Sequence, residues 1–170
     1  MRITILGAGN IGLAAGTKWK AKGHDITFGV RDPQSQKAWN AINIGAKVTT
    51  FQESMTGAEV VLVAIPFGVA DEVLKSIDVE WDGKIIIDAT NPISVSTEPF
   101  ESAAEAISAW TGSADVVKAF NTTGVGNMTN PEYNGKAIET FICGDEVASK
   151  QTVSTLAQDL GFRVVDVGGI

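Results

Sequence analysis

The sequence predicts an α/β protein: a doubly wound, mostly parallel Rossmann-type sheet, one domain over residues 1–170. Three observations predict it. Short apolar runs alternate from end to end with stretches that carry helix signals. The runs are continuously apolar and rich in β-branched residues, which suits strands buried on both faces. A glycine-rich turn, Gly7-Ala8-Gly9-Asn10-Ile11-Gly12, joins the first run to the first helix.

The elements follow in order. Residues 3–6 form the first strand run, and the helix over 10–22 closes at Gly23, a residue suited to the position beyond a helix end. Residues 26–30 are the second strand. Asp32-Pro33 then reads as a helix N-cap followed by proline in the first turn, where a missing N–H costs nothing. Residues 47–50 are a weaker third strand. Thr50-Phe51-Gln52-Glu53 and Ser102-Ala103-Ala104-Glu105 both fit the capping box, a hydroxyl followed three residues later by an acid. Strands are expected over 60–65, 85–87, 116–120, 137–143 and 162–167, and a helix over 145–160 closes at Gly161. Residues 91–100 and 122–135 read as loops, the second containing the turn pair Asn134-Gly135.

Composition narrows the function. Twenty acids against 13 bases give a net charge of −7, which argues against a nucleic-acid binder. Apolar residues at 44% and charged residues at 19% are the balance of a globular protein. A single cysteine, Cys143, leaves no internal disulfide, and a single histidine, His24, removes most zinc sites, so no metal is expected. No segment approaches the roughly 18 apolar residues that span a bilayer. No secretory signal precedes the first strand. The expected compartment is the cytoplasm, with no membrane partner.

The glycine turn carries the chemistry. Gly7 permits the tight turn, Gly9 lets backbone approach a diphosphate, and Gly12 lets helix and strand pack closely. The free N–H groups around Asn10 and Ile11 then face the anion, aided by the helix dipole. Gly16 and the apolar face of Ile11, Ala14, Ala15 and Trp19 suit close packing on the sheet. The end of the second strand bears on cofactor choice. NAD binders usually place an acid there for the ribose 2′-hydroxyl. Here Val30 is followed by Arg31, which can pair with a 2′-phosphate. Asp32 is the rival as a ribose acid, but Pro33 marks it as a helix cap. The arginine favours NADP.

Other strand ends add candidates, because ligands of open α/β sheets sit outside the carboxyl ends of the strands. In Ile65-Pro66-Phe67-Gly68, Phe67 can lie against a ribose or nicotinamide ring, or belong to the core. Thr90 and Asn91 can offer hydrogen bonds to the nicotinamide or its ribose. Asn121 and Thr122 follow Ala119-Phe120, where a hydride acceptor must stack. Lys118 can reach a phosphate or substrate, or snorkel from the sheet edge. Asp88 reads as a general base or as a partner of loop backbone. His24, at the opposite edge, reads as structural, and Cys143 as a small buried hydrophobe. No G-x-x-x-x-G-K-[ST] occurs, which excludes a P-loop nucleotidase.

Taken together, Gly7 to Gly12, Gly23-His24, Arg31-Asp32-Pro33, Ala64-Ile65-Pro66-Phe67, Ile87 to Pro92 and Val117 to Thr122 resemble the NADPH-dependent reductases of the deazaflavin coenzyme F420. The cytosolic NADPH domain of the six-transmembrane ferric reductases is similar too. The resemblance spans nearly the whole chain. It implies a Rossmann fold, NADPH, and hydride transfer to a small redox acceptor with a flavin-like ring: deazaflavin F420, FMN or FAD. Position by position it implies that Gly7, Gly9, Gly12, Asn10 and Ile11 hold the pyrophosphate and that Arg31 holds the 2′-phosphate. Ile65, Pro66, Phe67, Asn91 and Ala119 frame the nicotinamide, while Asn121, Thr122 and Lys118 act at the acceptor. Archaeal-type members carry a histidine where this chain has Asn121. Members usually continue past the last strand into a helical segment, whereas this sequence ends at Val167-Gly168-Gly169-Ile170. That difference leaves a second expectation, a non-catalytic NADP(H)-binding module acting as sensor or partner subunit. By analogy the expected assembly is a homodimer.

Overall fold

Eight strands form one sheet in the computed structural model, which describes every residue from Met1 to Ile170. The chain runs β1 (Arg2–Leu6), α1 (Asn10–Ala21), β2 (Asp25–Val30), α2 (Gln36–Asn43), β3 (Lys47–Thr50), α3 (Phe51–Ser54), β4 (Val60–Val63) and α4 (Phe67–Ser76). It continues with β5 (Ile85–Asp88), α5 (Ala103–Thr111), β6 (Val116–Ala119), α6 (Val125–Thr129), β7 (Glu132–Tyr133), β8 (Lys136–Ala137), β9 (Glu139–Gly144), α7 (Val147–Asp159) and β10 (Arg163–Asp166). The sheet order is β10-β9-β6-β5-β4-β1-β2-β3. The strands from β3 to β6 are parallel, β9 is antiparallel to β6, and β10 is parallel to β9. The doubly wound, mostly parallel prediction holds.

Both faces of the central strands are covered, which is why their sequences are apolar without alternation. Ile3, Ile5, Leu62, Ile87 and Val117 pack on one side against Ala15 and Trp19 of α1 and Val153 and Leu156 of α7. Leu6, Val61, Val63, Ile86 and Val116 pack on the other against Ala70 and Leu74 of α4 and Ala104 and Ile107 of α5. Trp19 Nε1 donates to the Leu156 carbonyl at 2.8 Å, and His24 Nε2 meets Asp159 Oδ2 at 3.0 Å, so α1 and α7 are also tied by polar contacts. His24 is therefore structural, far from the carboxyl ends of the strands.

Several boundaries differ from expectation. Asp32-Pro33 does not start a helix. Asp32 Oδ1 accepts from the Gln34 N–H at 2.9 Å, closing a short Asx turn over the proline. The helix begins at Gln36, and the Ser35 hydroxyl caps it by accepting from the Ala38 N–H. Thr50 and Glu53 form the expected capping box in full. At α5 the Ser102 hydroxyl accepts from Glu105 N–H, but the Glu105 carboxylate accepts from Glu101 N–H instead of closing the box. The 122–135 stretch is not all loop. It holds α6 and the hairpin β7–β8, whose turn residues Asn134 and Gly135 have φ of +50° and +73°, as a type I′ turn requires. That hairpin takes residues 136 and 137, so the following strand starts at Glu139.

Candidate functional site

The carboxyl ends of β1, β2, β4 and β5 open into one cleft of about 660 Å³. Its floor is level because the parallel ladders run one residue past the strands. Gly7 N–H donates to Gly29 O at 2.9 Å, Ala64 N–H to Leu6 O at 2.9 Å, and Ala89 N–H to Val63 O at 3.2 Å. Beyond these bonds each chain turns away and exposes its loop to the cleft.

The turn after β1 is built by sterics. Gly7 sits at φ +103°, and a Cβ there would lie 2.7 Å from the Ala64 carbonyl oxygen. At Gly9, which lines the cleft, a Cβ would meet nothing within 4 Å, so the missing methyl leaves open space for a ligand. A Cβ on Gly12 would lie 2.9 Å from Ile5 Cγ2, and one on Gly16 2.6 Å from Phe28 Cζ. The small residues thus seat α1 hard against β1 and β2.

The N-terminus of α1 is left without a cap. Gly9 has no side chain to offer, and the first turn holds no acid. The first intrahelical bond is Leu13 N–H to Gly9 O, so the N–H groups of Asn10, Ile11 and Gly12 have no helical acceptor. By contrast α2, α3 and α5 are each capped by a hydroxyl. Gly12 is buried, but the free N–H groups of Asn10 and Ile11, which line the cleft, and the positive end of the helix dipole face it, an arrangement that binds phosphate-type anions.

At the β2 end the wall is Val30, Arg31, Asp32, Ser35 and Lys37. Neither Arg31 nor Lys37 belongs to any ion pair in the structure. In a chain of net charge −7, two unpaired cations beside one cleft favour an anionic group there. Sequence reasoning found Arg31 but missed Ser35 and Lys37, because it started the helix three residues too early.

The β4 and β5 ends supply Ala64, Ile65, Pro66 and Val69 on one side and Ala89, Thr90 and Asn91 on the other. Phe67 is corrected to the core. It is 6% exposed and stacks against Trp110 at 5.4 Å between ring centroids, packed with Ala103 and Ala106 of α5. The aromatic residue of the cleft wall is Phe51, from α3, which the sequence reading did not single out.

The residues after β6 stand apart. Ala119 is buried, Asn121 is half-buried and Thr122 is exposed, and none of them lines the cleft. They flank Phe120, which takes a left-handed φ of +72° with its ring buried near Trp19 and Phe162. Lys118 is not free to act. Its Nζ pairs with Asp88 Oδ2 at 2.8 Å and also donates to the Thr90 carbonyl, while Asp88 Oδ1 accepts from Thr90 N–H at 2.8 Å. Asp88 is thus a partner of loop backbone. Burial pushes the Cys143 thiol up, which keeps it protonated at neutral pH. No cluster of metal-ligating side chains occurs, and no helix is long and apolar enough to cross a membrane.

A parallel order of β3-β2-β1-β4-β5-β6, with an uncapped, glycine-led helix where the order reverses, defines an α/β protein of the dinucleotide-binding class. Comparison with known proteins gives the family. Residues 2–92, just over half of the chain, match the family described as NADP oxidoreductase, coenzyme F420-dependent, and the chain belongs to it. It is 29% identical to rat metalloreductase STEAP3 over 99% of this chain and 34% of that protein. It is 27% identical to the F420-dependent NADP reductase of Methanothermobacter marburgensis, covering all of this chain and 85% of that one. The chain thus spans about a third of the length of the metalloreductases it matches. Among solved structures, a hypothetical protein from Sinorhizobium meliloti superposes with a TM-score of 0.87 at 24% identity, covering 99% and 85% of the two chains. A provisionally named F420-dependent NADP reductase from Arthrobacter superposes at 0.82 with 27% identity and the same coverage. The family and these relatives are named for NADP-linked oxidoreduction.

Proposed function

We propose that the cleft binds NADPH and that the protein passes its hydride to a flavin-like acceptor. The observation that carries this reading is the uncapped, acid-free start of α1, open to a cleft that has two unpaired cations at its β2 end. The N–H groups of Asn10 and Ile11 would hold the diphosphate. Arg31 and Lys37, with the Ser35 hydroxyl between them in sequence, would hold the 2′-phosphate. When bound, the coenzyme would supply a hydride from its nicotinamide ring, and the acceptor ring would take up the hydrogen with its electron pair, leaving NADP+.

The chain's own residues would bind, orient and exclude water. Ile65, Pro66, Val69 and Ala89 make an apolar wall for a flat ring, and Asn91 closes that end. No acid or base lines the β4 and β5 ends of the cleft, and Lys118 and Asp88 behind them occupy each other. A carbonyl or imine needs a proton donor in the transition state, whereas a flavin-type ring does not require one from the protein. That absence supports a flavin or deazaflavin acceptor. Asn121 and Thr122 remain candidates for the acceptor side, beyond the cleft wall. A second copy of the chain is the proposed partner by analogy with similar folds, which sedimentation would detect.

The test is titration of NADPH and NADH against wild type and Arg31→Ala. Arg31→Ala is expected to weaken NADPH by about 1–3 kcal/mol and to leave NADH nearly unchanged. Equal losses remove the 2′-phosphate assignment. Turnover with FMN, FAD and F420 then separates enzyme from sensor: tight NADPH binding with no oxidation by any of the three makes the protein a binding module.

A further inference from the structure

Charge is divided by position in the fold. Residues 1–50, which build β1, β2, β3, α1 and α2, hold seven bases and two acids, a net +5. Residues 51–170 hold six bases and 18 acids, a net −12. Strands β1, β2 and β3 are neighbours at one end of the sheet, so the positive charge is gathered in space as well as in sequence. Of those seven bases only Arg2 joins an ion pair.

Within this basic end, α2 is turned the wrong way round for a surface helix. It buries Ala38 and Ala41 completely and leaves Trp39 57% and Ile42 49% exposed. Three residues apart, the two large side chains share one face of the helix. Neither lines the cleft. The Trp39 ring is held in place, since its Nε1 donates to the Gln34 carbonyl at 3.3 Å. Lys20 borders the same face: Gly45 N–H donates to Ile42 O at 2.8 Å, and Lys20 Cε lies 3.2 Å from where a Cβ on Gly45 would stand. Lys47 follows two residues on and is exposed. An apolar anchor with a charged rim is the anatomy of a protein interface.

The rim selects the occupant. A two-fold pairing of this face with itself would bring the lysines of both copies together, and like charges across an interface repel. The occupant must be acidic, and this chain carries such a surface. Residues 71–105 hold nine acids and two bases, and every one of those acids except Asp88 reaches solvent. Beside the exposed Glu98 and Glu101 stand two apolar side chains, Ile93 and Val95, 74% and 45% exposed. Val95 lies on α4, because a Cβ on Gly68 would be 3.7 Å from its Cγ2. The two surfaces are on opposite sides of the sheet. Ala38 and Ala41 of α2 belong to the core layer of α1 and α7, whereas α4 and α5 cover the other face.

We propose that the Trp39–Ile42 face of α2 docks on the acidic α4–α5 face of a second copy of the chain, so that copies associate head to tail. The contact joins two different surfaces, so it does not close on itself in a pair and can repeat. It stands apart from the NADPH reading, because Trp39, Lys47, Glu98 and Glu101 all lie outside the cleft wall.

Sedimentation velocity of the full chain over a range of concentrations, in low and in high salt, reads the association. Wild type is expected to gain mass with concentration in low salt and to lose that gain in high salt, because screening weakens the lysine rim. Trp39→Ala/Lys47→Glu removes the head, and Glu98→Lys/Glu101→Lys removes the tail. All four positions are exposed, and circular dichroism checks that each variant is folded. Each variant alone is expected to associate at least about tenfold more weakly than wild type. Mixed in equal amounts, the two restore the salt-sensitive association, since the intact head of one meets the intact tail of the other. A wild-type mass that does not respond to salt overturns the proposal, as does a folded head variant that associates like wild type. A mixture that stays as weak as its parts removes the acidic face as occupant and overturns it equally. Binding of wild type to phosphatidylserine vesicles without self-association would assign the α2 face to an anionic membrane instead.

Discussion

The two ends of the parallel strands contrast in how their polar groups are used. At the amino ends they are paired. Arg2 meets Glu59, His24 meets Asp159 and the N-terminal amine, and Lys84 reaches the Ala58 carbonyl. At the carboxyl ends Asp88 is paired with Lys118, but the N–H groups of Asn10 and Ile11, the cations Arg31 and Lys37 and the buried hydroxyl of Thr90 have no partner. The same sheet closes its accounts at one end and not at the other. Stability explains the paired end. At the open end the proposed coenzyme would supply the missing partners, with its diphosphate and 2′-phosphate opposite the donors and cations.

The largest effect expected along this contrast is at the buried pair. Lys118→Met leaves Asp88 charged and unpaired in a fully buried site, and should cost about 3–5 kcal/mol in urea unfolding. Removing the exposed pair at the other end by Arg2→Ala should cost about 0–1 kcal/mol, with coenzyme affinity unchanged. A comparable loss from both would erase the distinction between the two ends. Next in size is Gly16→Ala. Its methyl would press within 2.6 Å of Phe28 Cζ, so a loss of about 1–3 kcal/mol is expected, again read by denaturation.

Lys37→Ala should weaken NADPH by about 0.5–1.5 kcal/mol and flatten the salt dependence of binding, because one of two unpaired cations is gone. An unchanged salt slope would place Lys37 outside the site. The smallest effect is one of pH at the β10 end. The Gly168 N–H and the Lys150 ammonium hold the Asp166 carboxyl below its ordinary value of 3.8. A lowered folded pKa means that the stabilisation is complete above the ordinary carboxylate range and is lost as pH falls through the lowered value. Asp166→Asn should therefore make acid unfolding below about pH 4 less steep and lose its small stabilisation at neutral pH, where the carboxylate contributes it.

Much of this was legible in the residues. The strand runs, the glycine turn and Arg31 are local patterns, since each depends on a few consecutive side chains and the period they impose. The failures are also local in origin. Asp32-Pro33 satisfies the rules for a helix start and equally those for an Asx turn, and only the Ser35 bond to Ala38 N–H decides between them. Phe67 turned into the core and Phe51 into the cleft wall because an aromatic residue at a strand end says nothing about which way its helix will roll. Lys118 read as reaching a phosphate or substrate, or snorkelling, because the carboxylate that occupies it lies thirty residues earlier in the chain.

The sequence by itself determined the alternation of strands and helices, the sharp turn at Gly7 and the cation after β2, because steric limits and hydrophobic periodicity act within a few residues. Tertiary structure alone decided which polar groups are satisfied. Whether Arg31 is unpaired, whether Asp88 holds Lys118, and whether Thr90 has a partner all depend on which strands become neighbours in the sheet. Hydrogen bonds and charges act through space, and proximity in space is what a linear order of residues does not contain.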